Sequence, residues 1–324
     1  MVTLSVSKIA DSKAFAFSLR GIALLSAIVA IIFHQSPTYD IPFLPLVSWN
    51  DSYIRLLYGG INLTALFLCC LLLERLNHTH TVMQQRTRLP ITLLLVFNCF
   101  NPDIITTFSS GTILSPILLL MIYRLYGTYQ GEGQYAAYSI GLLSVIGAII
   151  FPPFLLLALP FGLGFLYMRS TGWRTTTAFI LGIVSILWLI FCAYILLDFT
   201  YTPSLAELFP FTTFTLYEPI AHDRMSYFIA IAVIGLCCVV SATYFFSRHK
   251  IRIWLYNRFM VLLTICLLII AGLDCDNVKH YTPLLNVIGA LSASNFFLHT
   301  RNRYAFYIIG IIIIGYITLY IWNF

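Results

Sequence analysis

YAFYIIGIIIIGYITLYIWN, residues 304–323, is 20 residues long and contains no charged side chain. A helix of that length covers about 30 Å, the thickness of the hydrocarbon core of a bilayer. The run has no polar face to turn toward water, so lipid is the environment that it fits. It therefore predicts a membrane-spanning helix.

The composition of the whole chain extends this interpretation. Of its 324 residues, 60% are hydrophobic and 9% are charged, whereas about 25% are charged in an ordinary soluble domain. So few charged side chains cannot cover a water-facing surface, while lipid solvates apolar side chains directly. We predict an all-α fold, a polytopic transmembrane helix bundle that forms a single transmembrane domain over residues 1–324.

Eleven apolar runs along the chain are candidates for membrane spans. They cover residues 15–33, 56–73, 89–106, 112–126, 135–151, 154–168, 175–197, 227–246, 259–273, 282–298 and 304–323. Asn101-Pro102-Asp103 interrupts the third run, and the fifth and sixth meet at Pro152-Pro153 with almost no loop. These junctions are the places where a run could fail to cross completely.

The distribution of charges predicts how the chain is oriented. With a cytoplasmic N-terminus, 15 of the 18 basic residues fall in predicted inner loops, and only Arg55, Arg224 and Lys279 fall outside. This bias is the positive-inside rule. It places the C-terminus outside the cytoplasm and makes residues 198–226 the longest extracytoplasmic loop. The net charge of +6 is then an orientation signal, so we expect no nucleic-acid partner.

Sequence motifs do not assign an enzyme class. The chain contains no phosphate-binding glycine loop, paired-histidine zinc helix, nucleophile elbow or dinucleotide fingerprint. Asp274-Cys275-Asp276 offers possible metal ligands, but its spacing matches no recognised pattern. We therefore predict no metal site, and the cofactor is unknown.

Two carboxylates are the candidate catalytic residues. Asp51 lies in the first outer loop, where it could act as a base or hold a divalent cation; the alternative is a cap of the second helix. Asp103 follows Pro102 at the interruption of the third run. Non-helical backbone at membrane depth is tolerated where it is buried in protein or lines a cavity. The predicted outer face also contains His34, His222 and His280.

The three basic residues on the outer face are the candidate substrate-binding residues. A lipid-linked phosphate at the outer leaflet would need cations such as Arg55, Arg224 and Lys279. The alternative is local pairing with acids that are close in sequence, namely Asp51, Asp223 and Asp276. The sequence is compatible with both phosphate binding and local ion pairing.

Several motifs resemble an uncharacterised family of multipass inner-membrane proteins of Bacteroidota. They are Phe100-Asn-Pro-Asp-Ile104, Leu114-Ser-Pro-Ile-Leu-Leu-Leu-Met-Ile-Tyr-Arg-Leu125 and Gly172-Trp173-Arg174. The resemblance covers residues 10–200 and implies a multipass protein of the bacterial inner (cytoplasmic) membrane, in the cell envelope. Because that family has no assigned activity, the resemblance implies none for this chain.

A more distant architectural similarity is to polyprenyl-phosphate-dependent integral-membrane glycosyltransferases. Those enzymes place a carboxylate on the first outer loop, as Asp51 would be. The similarity implies a lipid-linked phosphate substrate. This chain departs from their pattern in its shorter first loop and in having no large outer C-terminal domain.

Three classes of function follow from these observations. The first is a non-catalytic subunit or scaffold of a cell-envelope complex, with other membrane proteins as partners and membrane lipids around it. The second is an outward-facing enzyme or handling protein for a polyprenyl-phosphate-linked glycan or lipid. The third is a transporter, which normally has an ionisable residue deep in its bundle. The most polar residues inside the predicted spans are Asn62, Asn98 and Asn286. We favour the first class.

Overall fold

The computed structural model describes most of the chain, with gaps. The described residues are 13–34, 51–80, 87–107, 109–131, 133–170, 172–196, 235, 251–274, 277–299 and 304–323. Within these ranges every regular element is a helix, so the predicted all-α class is confirmed. The predicted loop 198–226, which contains Arg224, lies outside the described residues.

The helices follow the apolar runs of the sequence. They are α1 (Lys13–Phe33), α2 (Asp51–His80), α3 (Leu89–Cys99), α4 (Pro102–Thr106), α5 (Ser110–Tyr126), α6 (Gln134–Ile150), α7 (Ala158–Tyr167), α8 (Trp173–Leu196), α9 (Ile251–Leu273), α10 (Val278–His299) and α11 (Tyr304–Asn323). A 3-10 helix, Pro152–Leu157, leads directly into α7. Ten of the eleven runs coincide with these segments, and the run 227–246 falls almost entirely outside the described residues.

Four of the described helices are long and apolar enough to cross a membrane. Their apolar segments are Ala16–Phe33, Leu56–His80, Trp173–Ala193 and Ile251–Leu273. Other apolar helices, such as α3 with 11 residues, are shorter than the roughly 20 residues of a full crossing. The number of crossings and the orientation of the termini stay predictions.

Prolines produce the interruptions that the sequence predicted. Asn101 is extended, with φ −117° and ψ 103°, because the ring of Pro102 disfavours helical backbone at the preceding residue. Pro102 then begins α4, where a missing N–H costs nothing. Phe151 is extended in the same way before Pro152.

The described residues divide into two compact units. The first contains the described residues up to Pro116, Gly235 and the described residues from Lys279 onward, and the second contains the described residues of 117–219 and 245–278. Helix α5 begins in the first unit and continues into the second. The prediction of one transmembrane domain stays a prediction.

In the first unit, α10 is the most deeply buried long helix. Asn286 and Ser294 are fully buried, and large apolar side chains such as Leu285 are buried with them. Helix α11 contributes a buried stripe to the same unit, where Tyr316 stacks on Phe97 of α3 with ring centroids 4.9 Å apart. One side of the isoleucine-rich α11 therefore packs against protein.

In the second unit, close helix packing depends on two glycines. A Cβ on Gly141 of α6 would collide with the carbonyl oxygen of Phe179, and a Cβ on Gly182 of α8 would collide with that of Tyr138. Small residues that let two backbones approach are the usual contact between membrane helices. Elsewhere in this unit, Tyr126 and Tyr256 stack at 4.0 Å.

We predict that Gly182→Ala lowers the stability of the protein. The added methyl group meets backbone atoms of α6, which cannot move aside as a side chain can, and overpacking of this kind costs about 1–3 kcal/mol. The measurement is the thermal unfolding midpoint in detergent. Gly60→Ala is the matched control, because a Cβ there meets nothing within 4 Å. Equal midpoints for the two variants would contradict the close packing of α6 and α8.

Candidate functional site

The candidate site is the break segment, which we define as residues 100–109 between α3 and α5. Among its described residues, the only regular structure is the five-residue α4. Carbonyl oxygens at the end of so short a helix have no amide of a following turn to accept from. They therefore need partners from elsewhere in the first unit.

Asn62 of α2 supplies that partner. Its Nδ2 lies 3.1 Å from the carbonyl oxygen of Ile104, 2.8 Å from that of Ile105 and 2.8 Å from that of Thr107. Asn62 is only 3% exposed. The two N–H groups of this buried amide are shared among the three carbonyl oxygens at the end of α4, and an apolar side chain here would leave those buried acceptors without their donor.

A histidine–carboxylate pair joins the end of α1 to the break segment. His34, which follows α1, has its Nε2 3.0 Å from Oδ1 of Asp103, and the two side chains are 7% and 20% exposed. Within the break segment, the hydroxyl of Thr107 donates to the carbonyl oxygen of Asp103 at 2.6 Å. Asp103, a predicted catalytic residue, is therefore held in place on both its side chain and its backbone.

A second polar contact joins α5 to α10. Pro283 has no N–H to donate to the carbonyl oxygen of Lys279, and the Ser109 hydroxyl donates to that oxygen at 3.2 Å. Ser110 Oγ lies 3.0 Å from Nδ1 of His280. A Cβ on Gly111 would collide with the carbonyl oxygen of His280, so only glycine allows this approach.

His280 precedes the apolar stretch 282–298 and is uncharged at neutral pH. Burial, together with the charge of Lys279, lowers the pKa of His280 to about 4. A neutral imidazole has an acceptor nitrogen for the Ser110 hydroxyl. His280 therefore contributes to the site as a hydrogen-bonding group and not as a cation.

The structure describes some of the predicted site residues in full, some only in their backbone and one not at all. Asp51 and Arg55 lie in the first turns of α2, but their side chains are not among those described; Arg224 lies outside the described residues. Lys279 is exposed at the start of α10. The catalytic role of Asp51 and Asp103 and the substrate-binding role of the three basic residues stay predictions.

Sequence reasoning missed two members of the site. His34 was recognised only as one histidine of the predicted outer face, and Asn62 only as a polar residue within a span. A signal for the first existed, because His34 follows the first apolar run and Asp103 lies at the interruption of the third, on the same predicted face. No comparable signal pointed to Asn62, since its partners are backbone atoms.

Metal ligands are not grouped in the described part of the chain. Within it, no three residues among His, Cys, Asp and Glu are placed to hold a metal ion. Asp274 is buried and accepts a hydrogen bond from Nδ2 of Asn277 at 2.9 Å. Asp274 thus stabilises the turn after α9, while Cys275 and Asp276 lie outside the described residues.

Comparison with protein-family models, with curated proteins and with solved structures finds no match to this chain. The chemistry available at the break segment is that of a carboxylate and an imidazole in contact. Such a pair can accept a proton, donate one, or hold a polar ligand by hydrogen bonds.

Proposed function

We propose that the chain is a multipass integral protein of a bacterial inner membrane, with eleven spans, a cytoplasmic N-terminus and an extracytoplasmic C-terminus. Two observations support this. The basic residues concentrate in alternate loops, and long helices carry exposed apolar side chains, as Trp188, Leu189 and Phe191 of α8 do.

Reporter fusions test this topology. Fusions after Ser36, Gln84, Lys250, Asn277 and Phe324 are expected to report outside, inside, inside, outside and outside. A reporter active only outside and one active only inside, placed at the same positions, control for poor expression. A cytoplasmic reading at Phe324 would show that an odd number of the eleven runs fails to cross.

Within this topology, we propose that the break segment forms an outward-facing site that handles a phosphate-bearing polyprenyl lipid, as an enzyme or as a binding protein. The observation that carries the proposal is the His34–Asp103 pair. Ionisable side chains within a membrane bundle are costly and are usually retained for function. In the proposed orientation the pair lies toward the outer leaflet, where the phosphate of such a lipid is found.

The chemistry of the pair fits that ligand. An imidazole held by a carboxylate can donate a hydrogen bond to a phosphate oxygen or exchange a proton with a leaving group. Arg55 and Lys279 are the cations that we propose to neutralise the phosphate, since both lie on the same predicted face as Asp103.

A second candidate is a non-catalytic subunit or scaffold of an envelope complex. The observation that favours it is that Asn62, His34 and Thr107 all bond to the break segment itself. A bonding pattern of this kind stabilises the break without any ligand. Under this alternative, the exposed apolar face of α8 is where another membrane protein would pack.

Asp103→Asn distinguishes the two candidates. Asn keeps the shape of the side chain but carries no charge, so His34 loses the charge-assisted hydrogen bond that holds its imidazole for the phosphate. We expect the variant to lower the affinity for added polyprenyl phosphate about tenfold or more, equivalent to about 1.4 kcal/mol. The measurement is binding to purified protein by native mass spectrometry, with phosphatidylglycerol as the competing lipid and Thr64→Ala, on an exposed position of α2, as the control.

The same binding measurement can contradict the lipid-handling function. Polyprenyl phosphate binding no tighter than phosphatidylglycerol in the wild-type protein would contradict the lipid-handling function. Recovery of a membrane protein at fixed stoichiometry, from wild type and from Asp103→Asn alike, would then support the scaffold.

A further inference from the structure

A cavity of about 210 Å³ lies in the first unit, between α2 and the start of α3. Most of its lining residues are polar, namely Glu74, Asn77 and His78 of α2 and Thr87 and Arg88, which precede α3. A single water molecule needs only about 10–15 Å³. This cavity therefore accepts a group of several heavy atoms.

The start of α3 favours a negative charge. The backbone N–H groups of Leu89 and Ile91 come too early in the helix to have intrahelical acceptors, and the side chain of Arg88 does not cap them. Arg88 lines the cavity, and Arg20 of α1 brings a second guanidinium to this turn, since its Nη2 donates to the carbonyl oxygen of Arg88 at 2.9 Å. Free amides at a helix start and guanidinium groups are common partners of a phosphate.

A buried hydroxyl beside these groups is left without a partner. Thr87 lines the cavity and is only 8% exposed, yet its Oγ1 has no hydrogen-bond partner among the described residues. The carbonyl oxygen of Thr87 accepts from Nδ2 of Asn77 at 3.5 Å, so its backbone is engaged while its hydroxyl is not. Because a buried polar group without a partner is costly, this hydroxyl indicates an absent acceptor, which a phosphate oxygen would supply.

The cavity also contains a negative charge, which does not suit a simple anion. Glu74 lines it, and in the described part of the chain the carboxylate of Glu74 forms no ion pair with the guanidinium of Arg88. A ligand with a phosphate at one end and an ammonium at the other would satisfy both side chains. The lining therefore fits a zwitterion better than it fits inorganic phosphate.

The outer face of α2 indicates that this zwitterion is part of a lipid. Phe67, Leu71, Glu74 and His78 follow one another at spacings of three or four residues, so they share one face of the helix. All four side chains are exposed. The polar lining of the cavity thus continues along α2 into an apolar surface, as the head group of a phospholipid continues into its acyl chains.

We propose that this cavity binds the phosphoethanolamine head group of a membrane phospholipid. The phosphate lies at the start of α3, against Arg88 and the hydroxyl of Thr87, and the ammonium lies against Glu74. The acyl chains follow Phe67 and Leu71 of α2. The break segment lies at the other end of the 11-residue α3, about 16 Å away, so the proposal does not rest on the lipid-handling function.

The test measures the binding of three phospholipids with identical acyl chains to the purified protein by native mass spectrometry. Phosphatidylethanolamine should bind at least about tenfold more tightly than phosphatidylcholine or phosphatidylglycerol. The quaternary ammonium of phosphatidylcholine has no N–H to donate to Glu74, and phosphatidylglycerol has no ammonium. Soluble phosphoethanolamine, which lacks acyl chains, should bind at least about tenfold more weakly than the lipid.

Variants of the lining assign the two ends of the head group. Arg88→Gln should lower the affinity for phosphatidylethanolamine about tenfold or more, and Glu74→Gln should remove the preference for this lipid over phosphatidylglycerol. Thr87→Val removes the free hydroxyl at nearly constant volume, and it replaces Arg88→Gln if that variant does not fold. Arg174→Gln is the matched control, because it removes a positive charge from an exposed position at the start of α8 and should bind as wild type does.

Three results would overturn the proposal. They are equal affinities of the wild-type protein for the three phospholipids, soluble phosphoethanolamine that binds as tightly as the lipid, and a Glu74→Gln protein that still prefers phosphatidylethanolamine over phosphatidylglycerol. Binding of polyprenyl phosphate is measured separately with Asp103→Asn, so the failure of one proposal leaves the other standing.

Discussion

Every peptide group that leaves a helix in an apolar environment needs a hydrogen-bond partner, and the first unit is organised around this requirement. Pro102 ends the regular helix after Cys99, and α4 is too short to satisfy its own carbonyls. Asn62 reaches three of these oxygens from α2, while His34 fixes Asp103 from the end of α1. The side chains of Asn62 and His34 are thereby both committed to one short segment.

Prolines at other positions repeat the problem and solve it differently. Pro283 frees the carbonyl oxygen of Lys279, which a serine hydroxyl satisfies, while Pro116 frees that of Thr112 beside a cavity. A proline inside a helix thus frees one carbonyl oxygen, and at Lys279 that oxygen makes a fixed contact between helices.

Much of the fold could be predicted from the sequence because apolar runs and prolines act locally. The helical segments, the interruption at Pro102 and that at Pro152 all follow from residues near each other in the chain. Composition also suggested that α11 is apolar on every side, yet Tyr316 packs on Phe97. Apolar character indicates compatibility with lipid, but it does not tell which face meets another helix.

The candidate site was harder to predict because its contacts are distant in sequence. Asp103 was predicted from the interruption that it follows, but its partner His34 lies 69 residues away. Asn62 bonds only backbone oxygens, and backbone atoms leave no trace in a residue pattern. The number of membrane crossings stayed open for another reason, since α3 has 11 residues and its length alone does not decide a crossing.

One buried amide, that of Asn62, stabilises the break segment. Asn62→Leu keeps the size of the side chain but removes the donor, which leaves buried acceptors unpaired at a cost of about 1–3 kcal/mol each. Its thermal unfolding midpoint in detergent should fall far below that of wild type, whereas Thr64→Ala on the same helix should change little. An Asn62→Leu protein as stable as Thr64→Ala would contradict the account.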